Sequence, residues 1–176
     1  MITIISSTNR GDAVSMKISR IYQKLLKSLN KPSQIIDLNE LPTDFAFSAL
    51  YERSGKNKLF NVFRQQIKDS DKFVYIVPEY NGSFPGVLKT FIDGLEFPES
   101  FENKKCALVG LSAGVQGAGL ALSHLTDIFN YCGMHVLALK PKLAQIEENM
   151  DVEKEEITNP LYKELIEMQA RQLLAF

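Results

Sequence analysis

The chain has 176 residues, of which 45% are hydrophobic and 23% charged, with a formal net charge of −1. That size and apolar content suit one domain with a full core and no need of disulfides or metals. The balance of 20 basic against 21 acidic residues leaves no basic stripe for nucleic acid or an anionic membrane. Cys106 and Cys132 lie in apolar runs outside any CxxC or Cys/His spacing and read as reduced core residues, and the only histidines, His124 and His135, build no metal set. The opening Met-Ile-Thr-Ile-Ile is too short and uncharged for a signal sequence, and no apolar run approaches the roughly 20 residues that cross a bilayer. A cytoplasmic protein is expected.

In chain order, Ile2–Ser6 reads as a strand, followed by a hydroxyl-rich turn. Val14, Ile18, Ile21, Tyr22, Leu25 and Leu29 then recur at spacings of three and four, the mark of an amphipathic helix. A weaker strand is expected over 34–38. Residues 42–56 carry Phe45, Phe47, Leu50 and Tyr51 without clear period, and a loop of that length and character usually covers something. A helix over Lys58–Lys68 rests on Leu59, Phe60, Phe63 and Ile67. Next come a strand over 73–77, a helix over 86–96, a strand over 106–111, a helix over 117–131, a strand over 135–139 and a last helix over 157–174. Ahead of that helix, residues 147–156 hold six acidic residues against one lysine and read as a solvated surface segment.

Continuous apolar strands alternating with helices require a parallel sheet covered on both faces. Right-handed crossovers leave few arrangements, and for five strands the common doubly wound order is 2-1-3-4-5. Its switch point lies between the first and third strands, so the turns after Ser6 and Val77 should meet there.

The first turn, Ser6-Ser7-Thr8-Asn9-Arg10-Gly11-Asp12, ends at a helix start, where free N–H groups and the positive end of the helix dipole favour an anion. Neither G-x-x-x-x-G-K-[ST] nor G-x-G-x-x-G is present, which argues against a triphosphate loop and a dinucleotide fingerprint. A monophosphate site remains, beside the alternative of a ligand-free cap cluster around Asp12 or Ala13. The third turn, Pro78-Glu79-Tyr80-Asn81-Gly82-Ser83-Phe84-Pro85-Gly86, offers backbone donors, acceptors and an aromatic ring suited to a flat heteroaromatic ligand. The fourth, Ser112-Ala113-Gly114-Val115-Gln116-Gly117-Ala118-Gly119, has glycines that permit close approach of main chain to a ligand.

These residues together resemble the NAD(P)H-dependent FMN reductases of flavodoxin-like fold, a family that includes quinone, azo-dye and chromate reductases. PEYNGSFPGVLKTFIDGL is similar to the family block P-E-Y-N-x-S-x-P-G-x-L-K-N-x-I-D-W, SSTNRGDAVSMKIS to its phosphate loop, and SAGVQGAG to its second flavin loop. The resemblance implies that Thr8, Arg10, Ser15, Met16 and Lys17 surround the FMN phosphate. It implies further that Pro78, Glu79, Tyr80, Asn81 and Ser83 border the isoalloxazine and ribityl, and that Ser112, Gly114 and Gly117 lie along the pyrimidine side. Ser7, Ala13, Ala118 and Gly94 depart from the family pattern, replacing a glycine, a serine, a glycine and an aromatic.

The implied activity is hydride transfer from NADPH or NADH through FMN to a quinone, azo compound, free flavin or similar small acceptor, with no protein nucleophile. A flavodoxin-like electron carrier and a flavin-free regulatory protein of the same fold are the alternatives. Bulky apolar residues on both faces of the helix at 87–95 imply a covering partner, hence a homodimer or dimer of dimers. Lys89 and Asp93, four apart, are expected to pair on that helix.

Overall fold

The computed structural model describes residues 1–176. The apolar run Ile2–Ser6 forms β1, with every residue buried. After it come α1 (Val14–Ser28), β2 (Ser33–Asp37), the short α2 (Phe45–Ser48), α3 (Lys58–Lys68), β3 (Lys72–Pro78), α4 (Gly86–Asp93), β4 (Lys105–Leu111), α5 (Gly119–Tyr131) and β5 (His135–Val136). The chain closes with β6 (Lys142–Leu143), β7 (Met150–Asp151), β8 (Glu156–Ile157) and α6 (Pro160–Ala175). The main sheet is parallel in the order β2-β1-β3-β4-β5. This is the doubly wound, flavodoxin-like order expected.

Each face of the sheet carries its own core. On one side Ile18, Tyr22 and Leu26 of α1 meet Ile166, Ala170 and Leu173 of α6 over Ile4, Val74 and Val109. On the other, Phe60, Phe91 and Phe129 from α3, α4 and α5 pack on Ile5, Phe73 and Tyr75. Alternate residues of one strand thus serve opposite layers, as the pleat requires.

The sheet's fifth position is divided between two short strands, which corrects the expected continuous run 135–139. β5 pairs with the start of β4, and β6 with its end. Between them the buried Gln169 of α6 donates from Nε2 to the carbonyls of Leu108 and Leu139, both at 2.9 Å. The Tyr22 hydroxyl donates in turn to Gln169 Oε1 at 3.2 Å, and burial pushes that phenol's pKa up, so it stays a donor. A side-chain amide supplies the bond that a strand N–H would have made.

Other boundaries shift for local reasons. α6 starts at Pro160, where Asn159 Oδ1 accepts from the N–H groups of Leu161 and Tyr162 at 3.0 and 3.3 Å. Ile157, expected in that helix, lies instead in β8, which pairs antiparallel with β7. The acidic run 147–156 is therefore largely a folded hairpin, with Met150 and Ile157 buried. α4 ends at Asp93, and the following Gly94 sits under Phe60, whose Cζ would lie 2.7 Å from an added Cβ. Cys106 is buried, but Cys132 is only partly so, contrary to the expected pair of core thiols.

Residues 42–56 cover the core rather than a ligand at Phe45 and Leu50, both buried; Phe45 stacks on Phe60 at 5.5 Å. The buried Arg64 ties this segment to α4, donating to the Gly94 carbonyl at 2.8 Å, the Ala49 carbonyl at 3.2 Å and Ser54 Oγ at 2.8 Å. Leu88, Phe91 and Ile92 of α4 are buried within the protomer, so apolar residues on both faces of α4 do not themselves demand a partner. The exposed apolar groups are Tyr51, Phe97 and Tyr131 beside it. Lys89 and Asp93 pair at 2.6 Å as expected. No helix is long and apolar enough to cross a membrane.

Candidate functional site

β1, β3 and β4 are neighbours, and their carboxyl ends deliver three turns to one rim of the sheet. The chain leaves β1 for β2 on one side and later returns to β3 on the other, which opens the sheet edge between them. The ladder continues past the strands: Ser7 N–H donates to Ile76 O at 3.1 Å and Glu79 N–H to Leu111 O at 3.0 Å. A cleft of about 420 Å³ opens above, within the range of small-molecule sites.

In the first turn Ser6, Ser7 and Thr8 are buried. Ser6 Oγ and Ser15 Oγ share a hydrogen bond of 3.2 Å, and Thr8 Oγ1 accepts from Arg10 N–H at 3.3 Å. α1 begins after Ala13 with no side-chain cap and no acidic residue in its first turn. The cap cluster that offered an alternative to an anion site is therefore not formed, and the helix start faces the cleft through Ala13, Val14 and Ser15. Lys17 reaches back to Asp12 at 3.2 Å, leaving the Arg10 guanidinium outside any ion pair.

The third turn is a tight reversal. Tyr80 and Ser83 exchange backbone hydrogen bonds of 2.8 and 3.0 Å, while Asn81 and Gly82 take φ of 51° and 74°. Positive φ at both central residues is the type I′ geometry that Asn-Gly favours. The Tyr80 hydroxyl and Thr8 Oγ1 share a hydrogen bond of 2.8 Å, joining the first turn to the third. In the fourth turn Ser112 Oγ donates to the Gly114 carbonyl at 2.7 Å and accepts from Gly117 N–H at 2.9 Å. Glu79 Oε2 accepts from Ala118 N–H at 3.0 Å, joining the third turn to the fourth.

Of the residues singled out in the sequence, Thr8, Arg10, Ser15, Lys17, Pro78, Glu79, Tyr80 and Ser112 line this cleft. Met16, Asn81, Ser83, Gly114 and Gly117 do not. Met16 N–H is engaged by Ala13 O at 3.0 Å, and Asn81 occupies the tip of its reversal. Ser83 Oγ meets His124 Nδ1 at 2.9 Å. Gly114 is exposed, whereas Gly117 is buried with φ 56° and leaves no room for a Cβ, which would stand 2.8 Å from the Lys142 carbonyl carbon. Gly117 is thus a glycine because β6 passes over it.

Ile146, Glu147 and Val152 also line the cleft and went unnoticed in the sequence. Their signal was the apolar series Ile146, Met150, Val152 and Ile157 threaded through the acidic run. Next to them Glu155 of the hairpin grips Arg20 of α1, with Nε 2.8 Å from Oε1 and 3.0 Å from Oε2. Hydrogen bonding to Arg20 holds the Glu155 carboxyl below the usual carboxylate range.

The donor set fits FMN. A phosphate monoester needs convergent donors and positive potential, which the open start of α1, the hydroxyls of Thr8 and Ser15 and the cations Arg10 and Lys17 supply. A flat ring needs a backbone-lined slot, which Pro78, Glu79, Tyr80, Ser112 and Ala113 provide.

Comparison with known proteins agrees with this geometry. The family model for NADPH-dependent FMN reductase matches residues 1–145. The chain is 30% identical over 145 residues to a 2-hydroxy-1,4-benzoquinone reductase of a Burkholderia species, covering 81% of this chain and 76% of the relative. It is 32% identical over 113 residues to an NAD(P)H-dependent FMN reductase of Pseudomonas aeruginosa, covering 63% of this chain but only 61% of that protein, less than two thirds of its length. Among solved structures, FerB, a flavoenzyme NAD(P)H:(acceptor) oxidoreductase from Paracoccus denitrificans, superposes with a TM-score of 0.81 at 21% identity, over 99% of this chain and 94% of that one. An NADH:FMN oxidoreductase in its apo form gives 0.79 at 14% identity, over 99% and 89%. Identities this low carry the fold alone, whereas the family match over residues 1–145 includes the turns that build the cleft. The chain belongs to the NADPH-dependent FMN reductase family, and is accordingly an oxidoreductase with FMN and NAD(P)H as its cofactors.

Proposed function

We propose that this protein is a single FMN-binding unit along its whole length and passes reducing equivalents from NADPH or NADH to a small organic acceptor of the quinone or azo class. The observation that carries the reading is the hydrogen-bonded convergence of three turns on one cleft, linked by Thr8 to Tyr80 and by Glu79 to Ala118. The acceptor class rests on relatives named quinone reductase and FMN-dependent NADPH-azoreductase.

When bound, FMN supplies hydride acceptance and redelivery, chemistry that no side chain here can provide. The chain's part is to hold and orient. Arg10 and Lys17 bring charge to the phosphate, and Ser15 and Thr8 bring hydroxyls. Met16, Ser83 and Gly117 act behind this surface, shaping the turns from which the lining residues project, while Asn81 and Gly114 stay exposed. The exposed main chain of residues 113–116 is available to a ring edge on which negative charge develops. Fixed dipoles of this kind need no reorganisation as charge appears.

A second copy of the chain completes the proposed assembly. Tyr51, Phe97 and Tyr131 surround an apolar cleft of about 790 Å³ floored by Ile92, Leu95 and Ile128, continuous along α4 and α5. Exposed aromatics around an apolar floor support a self-association face. The free thiols of Cys106 and Cys132 suit a reducing compartment, the cytoplasm.

Anaerobic stopped-flow mixing of the FMN-loaded protein with each nicotinamide tests the reading. Rapid bleaching of flavin absorbance by one of them, and its return on adding a benzoquinone, is the expected result. A flavin that neither nicotinamide bleaches would leave an electron carrier rather than a reductase.

A further inference from the structure

We propose that the acidic hairpin of β7 and β8, latched to α1 through Glu155 and Arg20, is a selectivity element that admits a flavin mononucleotide and rejects a flavin adenine dinucleotide. This inference rests on the reading of the cleft as an FMN site. The family match ends at residue 145, so the hairpin lies outside it.

The two ligands share a ring, a ribityl chain and one phosphate. Past that phosphate they part: the mononucleotide stops at a monoester, whereas the dinucleotide continues through a second phosphate into adenosine and needs an exit beyond the first. The hairpin and the turn that leads into it border the cleft beside the start of α1. Ile146, Glu147 and Val152 share the cleft lining with Arg10, Ser15 and Lys17. Arg20 lies one helical turn beyond Lys17, so its grip on Glu155 fixes the hairpin tip against the helix whose start meets the phosphate.

The tip is held from several sides. Glu155 takes a left-handed φ of 50°, a conformation that glycine adopts more readily than glutamate. Asp151 Oδ1 accepts from Lys154 N–H at 2.9 Å, Lys163 pairs with Glu156 at 2.8 Å, and Met150 and Ile157 anchor the strands in the core. Asp151, Glu155 and Glu156 are thereby neutralised by Lys154, Arg20 and Lys163. Glu147, Glu148 and Glu153 have no ion-pair partner, and all are exposed. A second phosphate leaving the cleft on this side would meet the free carboxylate of Glu147, with Glu153 adding like charge on the hairpin, whereas the monoester stays with Arg10 and the helix start.

Fluorescence titration of the flavin-stripped full chain with FMN and with FAD tests this. The wild-type protein should prefer FMN by about a hundredfold. Glu155→Gly releases the latch while suiting the left-handed turn, so it should leave the fold intact, raise FAD affinity about tenfold and change FMN affinity by less than about threefold. Glu147→Gln with Glu153→Gln, exposed and outside the latch, should narrow the same ratio by charge alone. Equal affinities for the two flavins in the wild type, or a ratio that moves in neither variant, would overturn the proposal while leaving the FMN site standing. Failure of the wild type to bind FMN would remove both.

Discussion

Gly110 and Gly117 approach so closely that a Cβ on Gly110 would lie 2.3 Å from the Gly117 carbonyl oxygen. Nothing can give way there, because both partners are main chain. Gly110→Ala is therefore expected to cost about 2–3 kcal/mol in urea denaturation, the scale of overpacking in a close-packed interior. Gly114→Ala, with no atom within 4 Å of the new methyl, should stay within about 0.5 kcal/mol. Equal losses would contradict the division of labour between these glycines. In the sequence the run SAGVQGAG reads as one loop whose glycines let main chain approach a ligand, and Gly114 and Gly117 look equivalent. They differ because Lys142, far along the chain, crosses over one of them, a contact without any local trace. Thr8, Arg10, Ser15 and Tyr80 were legible for the opposite reason: their chemistry lies beside a strand end and a helix start that periodicity alone reveals.

The hairpin of β7 and β8 shows how an element can be hidden by its own charge. Six acidic residues suggested solvent, yet the apolar residues between them fold it against α1 and α6. Its main tie, Arg20 to Glu155, spans 135 positions. Similarly, the break between β5 and β6 depends on Gln169, a polar residue on a distant helix that no strand pattern could announce. β1, β3, β4 and α3, by contrast, follow from runs of apolar residues in their own segments. The latch also has a pH signature. Hydrogen bonds from Arg20 depress the Glu155 pKa in the folded state, so the pair's contribution is complete above the ordinary glutamate range and is lost as pH falls through the depressed value. Arg20→Gln removes that contribution. Its urea midpoint should decline less steeply than that of the wild type between about pH 5 and pH 3; parallel declines would show that the ion pair adds nothing.

For the whole molecule, the sheet order followed from alternation and handedness, since few topologies satisfy both. What covers the outer side of the α4 and α5 layer did not follow, because α4's own apolar residues turn inward and the exposed aromatics come from three separate segments. Self-association through Tyr51, Phe97 and Tyr131 predicts twice the chain mass by light scattering at micromolar concentration. Tyr131→Glu should weaken the dimer about thirtyfold, as expected for an aromatic anchor worth about 2 kcal/mol. A monomeric wild type would rule this interface out.

The proposed FMN site draws on the turns after β1, β3 and β4 together, with Arg10 as the cation not already committed to another residue. Calorimetric titration of the flavin-stripped protein with FMN tests it most directly, in the wild type and in Arg10→Ala. One FMN per chain is expected, with a loss of about ten- to a hundredfold in affinity for the variant, the scale of one charge-assisted hydrogen bond. Absence of binding heat in the wild type, or an Arg10→Ala protein that binds FMN as tightly, would contradict it.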